Sequence, residues 1–168
     1  LDAPVSRVLT EDGSACGLEL ESGDRVEADD VVLNADFGYA MSELVPADQL
    51  KRWHPDKLRD RPFSCSTFML YLGLDKLYDL PHHNIIFAPD YQQNLHDIFD
   101  EKVLSDELSF YVRNASITDP TLAPKGKSAV YVLVPVPNNK SDIDWDEQAD
   151  TFRDRVVERI AEIDGLSD

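Results

Sequence analysis

Phe63-Ser64-Cys65-Ser66-Thr67-Phe68-Met69-Leu70-Tyr71-Leu72-Gly73-Leu74 decides how the rest of the chain is read. It carries no charge and no proline, and it is rich in aromatic, Met and Leu side chains, so it reads as the longest β-strand. Alternation puts Cys65, Thr67, Met69 and Tyr71 on one face and Ser66, Phe68, Leu70 and Leu72 on the other. The second face is the more uniformly apolar beyond Ser66 and makes the better core. The first mixes small, flexible and amphipathic side chains, which suits the wall of a long apolar cavity. Composition alone prefers a central core strand.

Working outward, residues 109–115 and 129–136 read as two more strands, the latter ended by Pro135 and Pro137. Residues 85–88 make a short strand and residues 91–99 a short helix. Trp145, Ala149, Phe152, Val156, Ile160 and Ile163 recur at three and four residues, which is one face of an α-helix. Asp144 with Glu147 fits a capping box, and Gly165 stands where a C-terminal cap is expected. A single apolar stripe calls for one flat partner, so this helix should lie across a sheet. The carboxylates Asp142, Asp144, Asp146 and Glu147 lack the glycine and terminal Glu of a calcium loop. A helix N-terminus, which welcomes negative charge, explains them better.

Toward the N-terminus, residues 1–36 read as a β-meander with Asp12-Gly13 and Ser22-Gly23-Asp24 as turns. Asp30-Val31-Val32-Leu33-Asn34-Ala35-Asp36 follows, apolar at its centre on both faces, as in a strand buried in a parallel or mixed sheet. Residues 37–44 predict a short helix stopped near Pro46, and residues 47–53 a second stopped near Pro55. Strands, helices, strands and a final helix in that order give an α+β fold, a mixed or antiparallel β-sheet covered by helices.

The 168 residues hold 33 acidic against 16 basic side chains, a net charge of −17. That balance excludes a nucleic-acid partner, which needs clustered Lys and Arg, and disfavours electrostatic docking on an anionic membrane. Either a self-repelling soluble surface or adaptation to a salty cytoplasm accounts for it. No signal peptide and no apolar run long enough to span a bilayer is visible. Cys16 and Cys65 stand far apart in strand-like runs and read as buried reduced thiols, which fits a cytoplasmic compartment. Ser64, Ser66 and Thr67 beside Cys65 raise the idea of a nucleophile, but no His stands in a recognisable base position. His82-His83 reads as a poor chelating pair, because neighbours on an extended chain point to opposite sides, so no metal is expected. Phosphate-binding glycine motifs and a nucleophile elbow are absent from the sequence.

Several segments together resemble the bacterial-type phytoene desaturases. Ala28-Asp29-Asp30-Val31-Val32-Leu33-Asn34-Ala35-Asp36 is similar to the segment with which many flavin oxidoreductases return to the cofactor domain. The run from Cys65 to Lys76 is more specific. So are Leu80-Pro81-His82-His83 with Phe87-Ala88-Pro89-Asp90-Tyr91, and Phe110-Tyr111-Val112-Arg113-Asn114-Ala115-Ser116 with Thr118-Asp119-Pro120. Ala123-Pro124-Lys125-Gly126-Lys127-Ser128 and Val134-Pro135-Val136-Pro137-Asn138 complete the pattern.

The resemblance implies a parent enzyme of two domains, amine-oxidase-like, that binds FAD and desaturates phytoene or a related C40 or C30 precursor. Residues 1–36 would be a remnant of the FAD-binding domain and residues 37–168 the substrate-binding domain. Without the family's glycine loop, this chain alone is expected to hold no FAD and to be inactive. Asn34, Ala35 and Asp36 would approach the flavin, or else form a strand end with Asp36 as N-cap. Cys65, Thr67, Met69 and Tyr71 would line the tunnel for a long apolar polyene, and the cytoplasmic parent would touch a membrane peripherally. A free-standing isoprenoid-binding scaffold and a related flavin isomerase, ketolase or saturase stay open as alternatives.

Overall fold

The structure, a computed structural model, describes residues 2–163. It divides into two compact units, Leu1–Pro62 and Phe63–Asp168. Compactness thus parts the chain after Pro62.

The first unit opens with a three-stranded antiparallel sheet of β1 (Val5–Glu11), β2 (Ser14–Leu20) and β3 (Arg25–Glu27), in that order. The turn between β1 and β2 needs left-handed backbone at both central residues, and Asp12 (φ 50°) and Gly13 (φ 80°) supply it. Gly17 is demanded by space as well, since a Cβ there would stand 2.2 Å from the Val26 carbonyl oxygen. Asp36 caps α1 (Phe37–Tyr39) by accepting the Tyr39 N–H at 2.9 Å, and the chain runs on into a π-type turn at Ala40–Leu44. Few side chains of this unit are buried: Val8, Ala40, Leu44 and Leu58.

Two expectations fail here. Residues 30–36 form no strand, and Val32 is 90% exposed. A strand apolar on both faces needs hydrogen-bonded neighbours at its edges, and β3, which lies before it, pairs only with β2. Nor do residues 47–53 form a helix. A single 3₁₀ turn covers Ala47–Gln49 before Leu50 turns extended. Pro55 does not stop a helix but starts one: α2 (Pro55–Arg59) has it in the first turn, where its missing N–H costs nothing.

The second unit is built on a four-stranded antiparallel sheet in the order β4-β7-β6-β5. Its strands are β4 (Ser66–Leu74), β5 (His83–Ile86), β6 (Phe110–Asn114) and β7 (Ser128–Val136). The strand β7 does not end at Pro135. Its pairing with β6 covers Val130 to Leu133 only, so Pro135 lies where β4 is its one neighbour, the edge-like position a proline tolerates.

Phe68, Leu70, Leu72 and Leu74 of β4 join Val130, Val132 and Val134 of β7 and Phe110 and Val112 of β6 in one core. The helix α4 (Trp145–Ala161) closes it with Phe152, Val156 and Ile160. Asp144 accepts the N–H groups of Asp146 (3.0 Å) and Glu147 (3.3 Å) and so caps α4. Gly165 lies outside the described residues. The loops are tied down by amides and a hydroxyl: Asn114 Nδ2 donates to the Tyr78 and Leu80 carbonyls at 2.9 and 3.1 Å, and Ser128 Oγ to Lys76 O at 2.9 Å. The short helix α3 (Tyr91–His96), capped by Asp90, continues as a π-type turn through Asp97–Glu101.

Candidate functional site

The face of the second unit's sheet opposite α4 is assembled by register. Met69 stands opposite Leu133, Leu133 opposite Tyr111, and Tyr111 opposite Ile85. One step along the strands, Tyr71, Tyr131, Arg113 and His83 form a second row. Directly opposed residues of antiparallel strands share a face, so both rows lie on the face of Thr67 and Met69. Rings run across all four strands: Tyr71–Tyr131 at 6.1 Å between centroids, Tyr131–Tyr111 at 5.8 Å and Tyr111–His83 at 5.9 Å. The Arg113 guanidinium lies 5.5 Å from the Tyr131 ring.

This face is polar-tipped yet largely without charge. Burial, followed by a hydrogen bond with Tyr131, holds the Tyr111 phenol above the ordinary tyrosine value, so it stays protonated at neutral pH. Its oxygen is 2.5 Å from His83 Nδ1. Desolvation, then the neighbouring His83 and Arg113, hold His82 below the ordinary histidine value. Arg113 Nε donates to His82 Nε2 at 2.9 Å, so that nitrogen carries the lone pair. His82 Nδ1 then bears the proton and donates to Thr118 Oγ1 at 2.6 Å, and Thr118 Oγ1 donates in turn to Ala115 O at 3.1 Å. The two histidines do not point apart: their rings come within 4.3 Å, because His82 precedes β5 and strand alternation does not govern it. Among the described residues no three His, Cys, Asp or Glu groups gather as a metal site.

Beside this face, α3 and the ends of β5, β6 and β7 enclose an apolar cleft of about 370 Å³, lined among others by Ile85, Phe87, Leu95, Phe99, Leu133 and Pro135. A larger cleft of about 660 Å³ at the start of α4 is bordered by Asp100, Glu101, Lys140, Asp142, Asp144 and Glu147 and has the character of a solvated charged surface.

The structure distributes the expected site residues unevenly. Cys65 is half-buried and lines the apolar cleft. Thr67 and Tyr71 are exposed and Met69 half-buried on the open face, while Phe68, Leu70 and Leu72 pack into the core, which is the split that alternation predicts. Cys16 is also half-buried, so neither thiol is as enclosed as expected. Asn34, Ala35 and Asp36 belong to the other unit and are exposed, with the Asp36 carboxylate engaged as a cap. Sequence reading missed Tyr111, Tyr131, Leu133 and Arg113. Alternation within β6 and β7 was the available signal, but which rows meet depends on register.

The residues present do not by themselves fit a flavin dinucleotide. A pyrophosphate needs a glycine loop leading to a free helix N-terminus. The helices of the first unit are short, and the start of α4 carries Asp144, Asp146 and Glu147. No helix of the described residues is long and apolar enough to cross a membrane.

No protein-family model matches the chain. It is 51% identical over 168 residues to a 4,4'-diapophytoene desaturase (4,4'-diapolycopene-forming) of Methylomonas sp, covering 100% of this chain and 33% of that protein. It is 45% identical over 164 residues to a zeta-carotene-forming phytoene desaturase of Myxococcus xanthus, covering 96% and 31%. To a phytoene desaturase (neurosporene-forming) of Rhodobacter capsulatus it is 36% identical over 169 residues, covering 96% and 32%. The chain spans about a third of the length of these curated relatives. Matched at such identity along nearly its whole length, the chain is similar to about a third of the length of these carotenoid desaturases.

Proposed function

We propose that this chain supplies the substrate-facing part of an FAD-dependent desaturase acting on phytoene or a related carotenoid precursor. The observation that carries this reading is the open sheet face. It offers Met69, Leu133, Ile85 and a row of rings to whatever lies against it, while the opposite face is already filled by α4. A polyene without polar groups can be gripped only by burial, at about 25 cal/mol per Å². A broad face of apolar side chains and aromatic rings suits that, and lets a long chain slide between successive positions. The relatives named as diapophytoene and phytoene desaturases support the same class of substrate.

In this reading residues 37–168 serve the substrate and residues 1–36 come from the cofactor domain of a two-domain, amine-oxidase-like parent. Its FAD, which takes up the hydride in such enzymes, is held mainly by the rest of that longer protein, with Asn34, Ala35 and Asp36 near it. The exposed Val32 then gains its sheet neighbours from the longer chain. The parent meets its lipid-dissolved substrate at a membrane surface by peripheral contact.

The test uses the full-length protein that carries this chain. Met69→Trp should leave folding and flavin content intact and lower turnover of the long precursor, read as the absorbance of the conjugated product. Leu70→Ala should lower stability instead. If Met69→Trp unfolds the protein while Leu70→Ala alters only product formation, the faces are reversed and the reading falls.

A further inference from the structure

Arg113 stands half-buried on the open face, in the inner strand β6. Arg7, Arg25, Arg153, Arg155 and Arg159 each pair with an Asp or Glu. Arg113 pairs with none among the described residues, in a chain with 33 acidic side chains. Its Nε donates to His82 Nε2 at 2.9 Å, and its guanidinium lies 5.5 Å from the Tyr131 ring centre. The first contact offers a lone pair and the second a π-face, so neither brings a negative charge. The described polar atoms that are sealed off without a partner lie elsewhere, on Asn94, Asn114 and Arg155. The two Nη groups of Arg113 are therefore unpartnered and open to the surface. One row along the strands, about 7 Å away at two residues of rise, Ile85, Tyr111 and Leu133 begin the apolar cleft that continues past Phe87, Leu95 and Phe99.

We infer that this face binds a long hydrocarbon chain ending in a carboxylate, which accepts from Arg113 Nη1 and Nη2 while the tail lies over Leu133 and enters the cleft. A guanidinium is a planar two-pronged donor whose spacing matches a carboxylate. The rings of Tyr131 and Tyr111 flank it with apolar surface, where a charged hydrogen bond is stronger than in open water. A fatty acid and an isoprenoid oxidised at its end share this chemistry. The site goes beyond the proposed polyene wall, because a hydrocarbon precursor has no oxygen to offer a guanidinium.

Binding to the full-length protein that carries this chain is measured by titration calorimetry in an uncharged detergent at pH 7.5, where a carboxylic acid is ionised. The probes are dodecanoic and farnesoic acids, each beside its alcohol, dodecanol and farnesol. At least one acid should bind about tenfold tighter than its alcohol, the value of a charged hydrogen bond, and the acid with the larger preference names the source. A net charge of −17 repels anions in general, so a preference for the acid requires a local cation. Arg113→Gln should erase the preference and leave binding of the alcohol unchanged. Arg113→Lys keeps the charge without the fork and should retain only part of the preference, which keeps the test open if Arg113→Gln fails to fold. Leu95→Trp, which fills the cleft, should weaken acid and alcohol alike. Equal affinities in the unaltered protein, a preference that survives Arg113→Gln or is undiminished in Arg113→Lys, binding unaffected by Leu95→Trp, or no binding of any probe overturns the inference. None of these outcomes depends on turnover of a carotenoid, so the desaturase reading stands or falls separately.

Discussion

The two faces of the second unit's sheet are made of the same strands and are both rich in apolar side chains, yet they have opposite fates. On one, Phe68, Leu70 and Leu72 meet Val130, Val132 and Val134 under α4, and Val132, Val134 and Val156 lose all exposure. On the other, Tyr71 remains 78% exposed and Ile85 67%. The difference teaches that apolar content does not make a core. A core needs a second layer with a matching stripe, and α4 offers only one. In the proposed reading, the uncovered face is where a ligand gains burial.

The comparison breaks most visibly at the covering helix. Phe152→Ala should cost about 3–5 kcal/mol, because Phe152 is nearly fully buried and meets Phe68 edge-on at 5.0 Å. Urea unfolding of the second unit measures it, and a loss under about 1 kcal/mol would mean that α4 is not the layer that makes this face a core. Leu70→Ala follows at about 2 kcal/mol, the low end for a half-buried leucine. Removing the cap with Asp144→Ala should cost about 1 kcal/mol, seen as a lower urea midpoint and weaker far-ultraviolet helix signal. Tyr71→Ala, on the open face, should stay within about 0.5 kcal/mol. A cost as large as that of Leu70→Ala would show that the open face is stabilised in its own right.

The smallest effect sharpens the contrast through pH. The folded His82 titrates below the ordinary value of 6.5, by desolvation first and then by His83 and Arg113. It therefore contributes stability above the unfolded value, and this is lost as pH falls through the folded one. His96 works the other way, because its hydrogen bond to Asp100 raises it. Its contribution is present at low pH and lost as pH rises. The informative measurement is thus the difference between the unaltered protein and His82→Gln from pH 7.5 down to 5.5. The variant should lose less stability on acidification. An identical loss would remove His82 from the account.

Much of this was legible along the chain, and the exceptions are instructive. Trp145 to Ile163 declared a helix because its apolar period is 3.6, and Asp144 declared its start. The strand β4 and its two faces followed from a period of two. Asp12-Gly13 named its own turn. Residues 30–36 misled, because Val31-Val32-Leu33 has the composition of a buried strand without a neighbour to pair with. Pro55 misled because a proline reads equally as a stop or as the first residue of a helix. His82 and His83 misled because alternation applies only inside a strand.

The sequence by itself determined the periodic elements and their faces, because each is written in the order and chemistry of neighbouring residues. Only the tertiary structure decided which rows of side chains meet. Register joined Met69 to Leu133, Tyr111 and Ile85 across strands distant in sequence. Packing likewise left the Asn94 oxygen buried without a partner. The physical reason is that pairing and burial are set by which distant segments approach one another, and no local propensity encodes that.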